Sequence, residues 1–192
     1  FADGTPLNDS NLVAKALRLI GRTAAVHIHK EIPHGGGLGG GSSDAAAILR
    51  WGGYSDVAGS AAIGADVPFC MVGGRARVRG IGEIIEPLPF QPMAITLVIP
   101  PLSISTPAAY HAWDELGGQQ THSVNDRSVN ELEAASIKVE PRLAEWRDRI
   151  EKAAGQRPTL AGSGATWFLR GHHKIAEAVP DALVVHTETK PS

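Results

Sequence analysis

Apolar residues recur at Leu12, Ala16 and Leu19 or Ile20 with polar positions between them, a spacing that predicts a helix over Asn11–Ile20, capped by Asp9 or Ser10. From Thr23 to Lys30 the period falls to two. Val26 and Ile28 share one face and His27 and His29 the other, as in a half-buried strand. A glycine-dense loop from Pro33 to Gly41 follows, and Ser42-Ser43-Asp44 then caps a small-residue helix through Ala45–Leu49 that stops near Gly52-Gly53. Asp56–Ile63 reads as a short helical stretch. Beyond it, Pro68–Val72 and Arg75–Arg79 read as two strands of a hairpin turning at Gly73-Gly74. Arg75, Arg77 and Arg79 fall on one face of their strand, the pattern of a solvated edge that discourages pairing.

Prolines at 87, 89 and 92 argue against a regular element over Pro87–Pro92, and this stretch is expected to divide the chain into domains 1–92 and 93–192. The second half then opens on a buried strand, Ala94–Ile99. Thr106 and Pro107 supply an N-cap and first-turn proline for a helix through Leu116. Ser128 with Glu131 makes a capping box for the next helix, and Pro141 opens a third with Leu143, Trp146 and Ile150 on one stripe. Thr159–Ala161 and Thr166–Leu169 flank a Gly-Ser-Gly turn, a helix is expected over His172–Val179, and Ala182–His186 forms a last strand. With the extra helices set aside, the order is βαββαβ, the ferredoxin-like split motif.

Composition narrows the functional classes. A chain of 192 residues buries enough surface for one or two domains. Its 18 basic and 20 acidic residues leave a net charge of −2, which gives no broad field for nucleic acid or an anionic membrane, so any anion site must be local. One cysteine, Cys70, excludes an internal disulfide and a multi-cysteine metal site and fits a reducing compartment such as the cytoplasm. The apolar run Ala94–Leu102 is broken by a threonine and prolines and is too short to span a bilayer. The chain opens on Phe1-Ala2-Asp3-Gly4 without an initiator methionine, so an upstream segment is expected.

The chemistry concentrates in the glycine loop. A strand, glycines at 35, 36, 37, 39, 40 and 41, and a helix opening with serines together make an anion site. Glycine lets backbone approach a phosphate, while the free amides and the dipole of the first helical turn face it. A Walker-type loop requires a lysine and a hydroxyl residue after its last glycine, and Ser42-Ser43-Asp44 does not supply them. The dinucleotide fingerprint is met in form by Gly35, Gly37 and Gly40, but no second strand ending in an acid follows in Tyr54–Ala62. A plain flexible linker would not be bracketed by a patterned strand and a capped helix.

The run Pro33-His34-Gly35-Gly36-Gly37-Leu38-Gly39-Gly40-Gly41-Ser42-Ser43-Asp44-Ala45-Ala46-Ala47 resembles the second motif of the GHMP kinases. Gly64-Ala65-Asp66-Val67-Pro68 and Leu160-Ala161-Gly162-Ser163-Gly164-Ala165-Thr166 resemble two further motifs of the family, in family order. The triple glycine on each side of Leu38 is similar to the branch whose substrate is a cytidine diphosphate sugar alcohol, except that Asp44 stands where that branch usually has asparagine. The resemblance implies an α+β fold: an incomplete ribosomal-protein-S5-like N-terminal domain, a ferredoxin-like C-terminal domain, and an active site between them.

It also implies roles. Pro33, Gly35, Gly36, Gly37, Leu38, Gly39, Gly40, Gly41, Ser42, Ser43 and Asp44 would wrap the phosphates of ATP, and Lys30 would border the adenine. Asp66 would lie beside the hydroxyl that is phosphorylated, and a carboxylate there can accept or orient its proton. Tyr110 would stack on the cytosine, with Thr106, Gly162, Ser163 and Gly164 lining the substrate. Mg2+ accompanies the ATP, and no residue stands out as its ligand. The partner is a small molecule, with no nucleic acid and no membrane, and the chain would be a monomer or homodimer. Relatives carry a catalytic lysine upstream of Asn11-Leu12-Val13, whereas the first lysine here is Lys15, and Arg50–Gly64 is shorter than in most of them. These 192 residues without the upstream segment would be expected to make a poor or inactive enzyme with an incomplete first sheet. Two other classes stay open: a GHMP kinase for a different alcohol, and a noncatalytic nucleotide binder. His27 and His29 with His34 lack a carboxylate or cysteine to complete a metal set, so exposed strand histidines are expected.

Overall fold

The computed structural model describes residues 11–32, 35–118 and 130–191. Two compact units divide them: residues 11–32, Gly39–Pro92 and 190–191 in the first, residues 35–38 and Met93–Thr189 in the second. The glycine loop contributes its front half to one unit and its back half to the other.

In the first unit, α1 (Leu12–Leu19) is capped by Asn11, whose Oδ1 accepts the amide of Val13 at 2.9 Å. The expected caps Asp9 and Ser10 lie outside the described residues. The buried stripe is Val13, Ala16 and Leu17, and Leu19 is exposed, because positions 13, 16, 17 and 20 line up at i, i+3, i+4 and i+7 while 19 falls off that face. This stripe packs on α2 (Gly40–Trp51), where Ala45 and Ala46 are small enough for the two helices to close and Leu49 fills the seam with Ile63 and Val67.

Thr23–Lys30 keeps its alternation, with Ala24, Val26 and Ile28 half-buried and Ala25, His27 and His29 exposed, yet it is not a strand. No other strand of the described residues pairs with it, and a strand exists only through its ladder. The Asp56–Ile63 stretch is reduced to a 3-10 turn, Ala58–Ala62, entered through the Asp56 carboxylate, which accepts the Gly59 amide at 2.9 Å.

Pro68–Val72 is likewise not a strand but lies within α3 (Val67–Val72). A short apolar run is ambiguous between the two states, and proline at the first turn with Gly73 at φ +75° as the stop resolves it toward helix. The hairpin lies one element later, between β1 (Arg75–Arg79) and β2 (Ile84–Leu88), antiparallel with Arg77 opposite Glu86. The arginines therefore do not deter pairing. Arg77 and Arg79 both pair with Glu86 across the ladder. Pro87, expected to exclude a regular element, stands in β2 opposite Ala76; a two-stranded sheet is all edge and tolerates a residue without an N–H.

The second unit is built on a sheet of β3 (Ala94–Ile99), β4 (Thr159–Leu160), β5 (Trp167–Arg170) and β6 (Leu183–Glu188) in the order β4-β5-β3-β6, every neighbour antiparallel. With the helices between β3 and β4, this is the ferredoxin-like order. Its helices are α4 (Thr106–Glu115), α5 (Leu132–Val139) and α6 (Arg142–Ala154). Leu143 and Ile150 of α6 are buried against Val98, Leu160, Trp167 and Leu169, and Trp146 packs beside them. Ser105 rather than Thr106 caps α4, its Oγ accepting the Ala108 amide at 3.4 Å. Ser128 of the expected capping box lies outside the described residues, and the cap on Leu132 comes from Asn130 Oδ1 at 3.0 Å.

His172–Val179 is not a helix; only Ala176–Ala178 makes a 3-10 turn. The segment is instead tied to β3, where the His173 amide donates to Thr96 Oγ1 at 2.9 Å. Among the described residues no helix is long and apolar enough to cross a membrane.

Beside β5, Thr166 is fully buried and its Oγ1 finds no hydrogen-bond partner among the described residues. An unpaired buried hydroxyl costs more than the methyl that would replace it, so Thr166→Val is expected to stabilise the protein by roughly 1 kcal/mol in urea unfolding. A loss of stability would show that the hydroxyl is satisfied.

Candidate phosphate-binding site

The front half of the glycine loop is packed backbone against backbone within the second unit. The carbonyls of Gly35 and Gly36 accept the amides of Ala165 and Thr166, both at 3.2 Å, so the loop runs along the chain that leaves the Gly162-Ser163-Gly164 turn. Gly37 has φ +72°, and a Cβ there would overlap the carbonyl oxygen of Ala161 and come within 2.9 Å of the Gly164 amide nitrogen. Gly35, at φ +72°, is held mainly by its left-handed backbone, since a Cβ there would displace only the Ser103 hydroxyl. At position 37 glycine is required for contact as well as conformation.

The back half behaves differently. Gly39, at φ +67°, is the N-cap of α2, yet an added Cβ would meet nothing within 4 Å. Among the described residues no side chain caps α2, and Ser42-Ser43-Asp44, expected as its cap, lie inside the helix instead. The first-turn amides of Gly40, Gly41 and Ser42 have no carbonyl inside the helix to donate to, which leaves an uncommitted, electropositive helix end. Ser42 is buried and Ser43 exposed. Asp44 places a negative charge on this first stretch of helix, and Lys30 answers it, Nζ to Oδ2 at 2.7 Å with both side chains about a third exposed. Such a pair adds only about 0–1 kcal/mol to stability, but it cancels a charge that would repel an anion. Pro33 lies outside the described residues.

The Asp66 motif meets α2 in the first unit. One methyl of Leu12 lies 3.7 Å from the Cβ positions of both Gly41 and Gly64, so the loop end and the Asp66 motif touch the same side chain. The β1–β2 turn backs the motif, with Gly82 so close to the Ala65 carbonyl that no side chain fits. Asp66 is exposed at the start of α3 and makes no side-chain capping bond, so its carboxylate is not spent on the helix. Cys70, one turn on, is unsuited to nucleophilic work: burial pushes its thiol pKa up, and the Asp66 charge pushes it further.

In the second unit, Thr106 Oγ1 lies 2.9 Å from Ser163 Oγ, which joins the start of α4 to the glycine turn. Tyr110 stands one helical turn further on α4 with its side chain exposed, as a base-stacking ring requires. Two residues without an expected site role also touch the turn. Asn130 donates to Leu160 and Gly162 carbonyls, and buried Ser136 donates to the Ser163 carbonyl at 2.9 Å. In the sequence Asn130 lies within 128–133, a segment that shares the family resemblance without an assigned role, next to the residue expected to complete a capping box.

Among known proteins, the family model for the GHMP kinases N terminal domain matches residues 11–55. The 4-diphosphocytidyl-2-C-methyl-D-erythritol kinase of Paracoccus denitrificans (strain Pd 1222) is 37% identical over 182 residues, covering 88% of this chain and 66% of its own length. The enzyme of the same name from Cereibacter sphaeroides (strain ATCC 17025 / ATH 2.4.3) is 35% identical, over 93% of this chain and 73% of its own. The chain thus spans about two thirds of the length of such relatives. A crystal structure of 4-(cytidine 5'-diphospho)-2C-methyl-D-erythritol kinase superposes with a TM-score of 0.70 at 29% identity, covering 97% of this chain and 81% of that one. Homoserine kinase from Cytophaga hutchinsonii, at 16% identity and a TM-score of 0.60, shares the fold.

The two halves of the loop make opposite predictions for added methyl groups. Gly39→Ala is expected to cost only the left-handed backbone penalty, about 1–2 kcal/mol, whereas Gly37→Ala, with a backbone clash added, costs clearly more. Urea unfolding of both variants checks this, and equal costs would mean that position 37 is not closely packed.

Proposed function

Because this chain belongs to the GHMP kinase family, in the branch of the 4-diphosphocytidyl-2-C-methyl-D-erythritol kinases, we propose that it transfers the γ-phosphate of ATP to the 2-hydroxyl of 4-diphosphocytidyl-2-C-methyl-D-erythritol, a step of non-mevalonate isoprenoid biosynthesis. The observation that carries this reading is the uncapped start of α2, with three free amides behind a glycine that has open space around it, meeting the Asp66 motif at Leu12. The amides of Gly40, Gly41 and Ser42 and the hydroxyls of Ser42 and Ser43 hold phosphate oxygens, and Lys30 offsets the charge of Asp44. In the transfer the hydroxyl oxygen bonds to the γ-phosphorus as the bond to ADP breaks, and Asp66 accepts or orients the proton that leaves.

Tyr110 stacks on the cytosine, and Thr106 with Gly162, Ser163 and Gly164 borders the substrate. Among the described residues no three His, Cys, Asp or Glu side chains gather as a metal site. Mg2+ accompanying the ATP would take a carboxylate from Asp44 or Asp66, since magnesium prefers oxygen ligands and is commonly bound through one or two carboxylates together with substrate phosphates. When bound it neutralises charge on the phosphate oxygens. The reaction belongs in the cytoplasm, and the chain acts as a monomer or homodimer.

Asp66→Asn tests the assignment. Phosphate transfer to the cytidine alcohol is expected to fall by about 10²–10⁴-fold while the ATP Kd, by calorimetry, stays within twofold. Turnover close to wild type would remove Asp66 from the chemistry. Tyr110→Ala is expected to raise the Kd for cytidine ligands by the equivalent of ~1–3 kcal/mol, about 5- to 150-fold. An unchanged Kd would favour a GHMP kinase acting on a different alcohol.

A further inference from the structure

The Gly162-Ser163-Gly164 turn has little stiffness of its own. Gly162 lies at φ +54° and Gly164 at φ +93°, and glycines reorient their peptides at small cost. The front half of the phosphate loop nevertheless depends on this turn. The Ala161 carbonyl is the group against which Gly37 is packed, and the amides that receive Gly35 and Gly36 belong to Ala165 and Thr166, immediately after the turn. The turn has two bonds of its own, the Gly164 amide on the Ala161 carbonyl at 2.9 Å and the Ala161 amide on the Thr166 carbonyl at 2.8 Å, while the carbonyls of Leu160, Gly162 and Ser163 are held from outside by side chains.

We propose that Asn130 is a positioning residue for the nucleotide, clamping the peptides on either side of Ala161 so that the phosphate loop keeps its shape. Its Nδ2 donates to the Leu160 carbonyl at 2.9 Å and to the Gly162 carbonyl at 2.6 Å, which uses both amide hydrogens. With the carbonyls of residues 160 and 162 held, the Ala161 carbonyl between them is left in one orientation, the one in which it accepts the Gly164 amide at 2.9 Å and faces Gly37. Ser136 repeats the device one residue further along, its buried Oγ donating to the Ser163 carbonyl. Thr106 steadies the Ser163 hydroxyl from the other side. Asn130 touches no reacting atom in this scheme. It acts through the turn and then through the loop.

Asn130 has a second task, since its Oδ1 caps α5 by accepting the Leu132 amide. Asn130→Asp separates the two. Aspartate keeps the capping oxygen, and is as good a cap as asparagine, but it lacks both donors and sets a carboxylate against two carbonyls. Asn130→Ala loses both tasks.

The inference rests on the kinase reading above, and the experiment keeps the two apart. Wild type, Asn130→Asp and Asn130→Ala are titrated with Mg·ATP by calorimetry, and KM is measured for ATP and for the cytidine alcohol separately. Both variants are expected to weaken ATP tenfold or more in Kd and KM. KM for the alcohol is expected to rise less than KM for ATP, because its base is held by Tyr110 on α4, anchored in the core through Ala109 and Ala112, and only its border with the turn is disturbed. An Asn130→Asp protein with ATP affinity within twofold of wild type overturns the proposal and leaves Asn130 as a helix cap. Equal losses for both substrates, tracking a fall in Tm, overturn it as well. If the wild type binds ATP but does not phosphorylate the cytidine alcohol, the functional reading fails and the Kd comparison still decides the clamp. If the wild type binds no ATP, both fall together.

Discussion

At position 37 the chain has no space for a side chain of any kind, because two stretches of backbone far apart in sequence lie in direct contact there. Much of the site's construction follows from that approach. It ties the front half of the glycine loop to the Gly162–Gly164 turn and lets the Gly35 and Gly36 carbonyls find the amides of Ala165 and Thr166. It also relieves the back half of any structural duty. Gly39 bends the chain into α2 in open space, and the first-turn amides remain uncommitted. One loop is thus closely packed in its front half and open in its back half, and the division falls between Leu38 and Gly39.

Charge is managed locally throughout. The chain has a net charge of −2, so attraction for a polyphosphate would have to come from oriented amides rather than from a general excess of lysines. An aspartate at residue 44 works against that attraction, and Lys30 cancels it at a distance of 2.7 Å. Asp66 is left exposed and without a capping duty, two residues after Gly64, which lies against the same Leu12 side chain as Gly41 at the end of the loop. These are features of one compact unit. They give a phosphate and a hydroxyl different kinds of group to meet.

The sequence carried some of this plainly and some not at all. β3, the α6 stripe of Leu143 and Ile150, and the antiparallel strand order of the second unit are legible because a single period, 2.0 or 3.6, dominates each segment and burial agrees with it. Val67–Val72 is not legible by period, since a six-residue apolar run satisfies helix and strand alike and only proline and glycine punctuation decides it. Thr23–Lys30 shows the converse. Its faces alternate as expected, but a ladder depends on a neighbour that no local pattern announces. The glycine loop and Asp66 stood out by composition and motif. Asn130 did not, because its task is to hold carbonyls more than thirty residues away in one case and thirty in the other, and a polar residue before a helix looks the same whether it caps or clamps.

The account's central claim is that a nucleotide's phosphates are received by the amides at the start of α2 while the front of the loop stays fixed. Amide chemical shifts of the isotopically labelled protein, recorded as Mg·ATP is added, test it most directly. The prediction is that the largest changes fall on Gly40, Gly41, Ser42 and Ser43, with the amides of Ala165 and Thr166 keeping their hydrogen-bonded shifts. Saturating ATP that leaves residues 40–43 unmoved, or that moves another region instead, would contradict it.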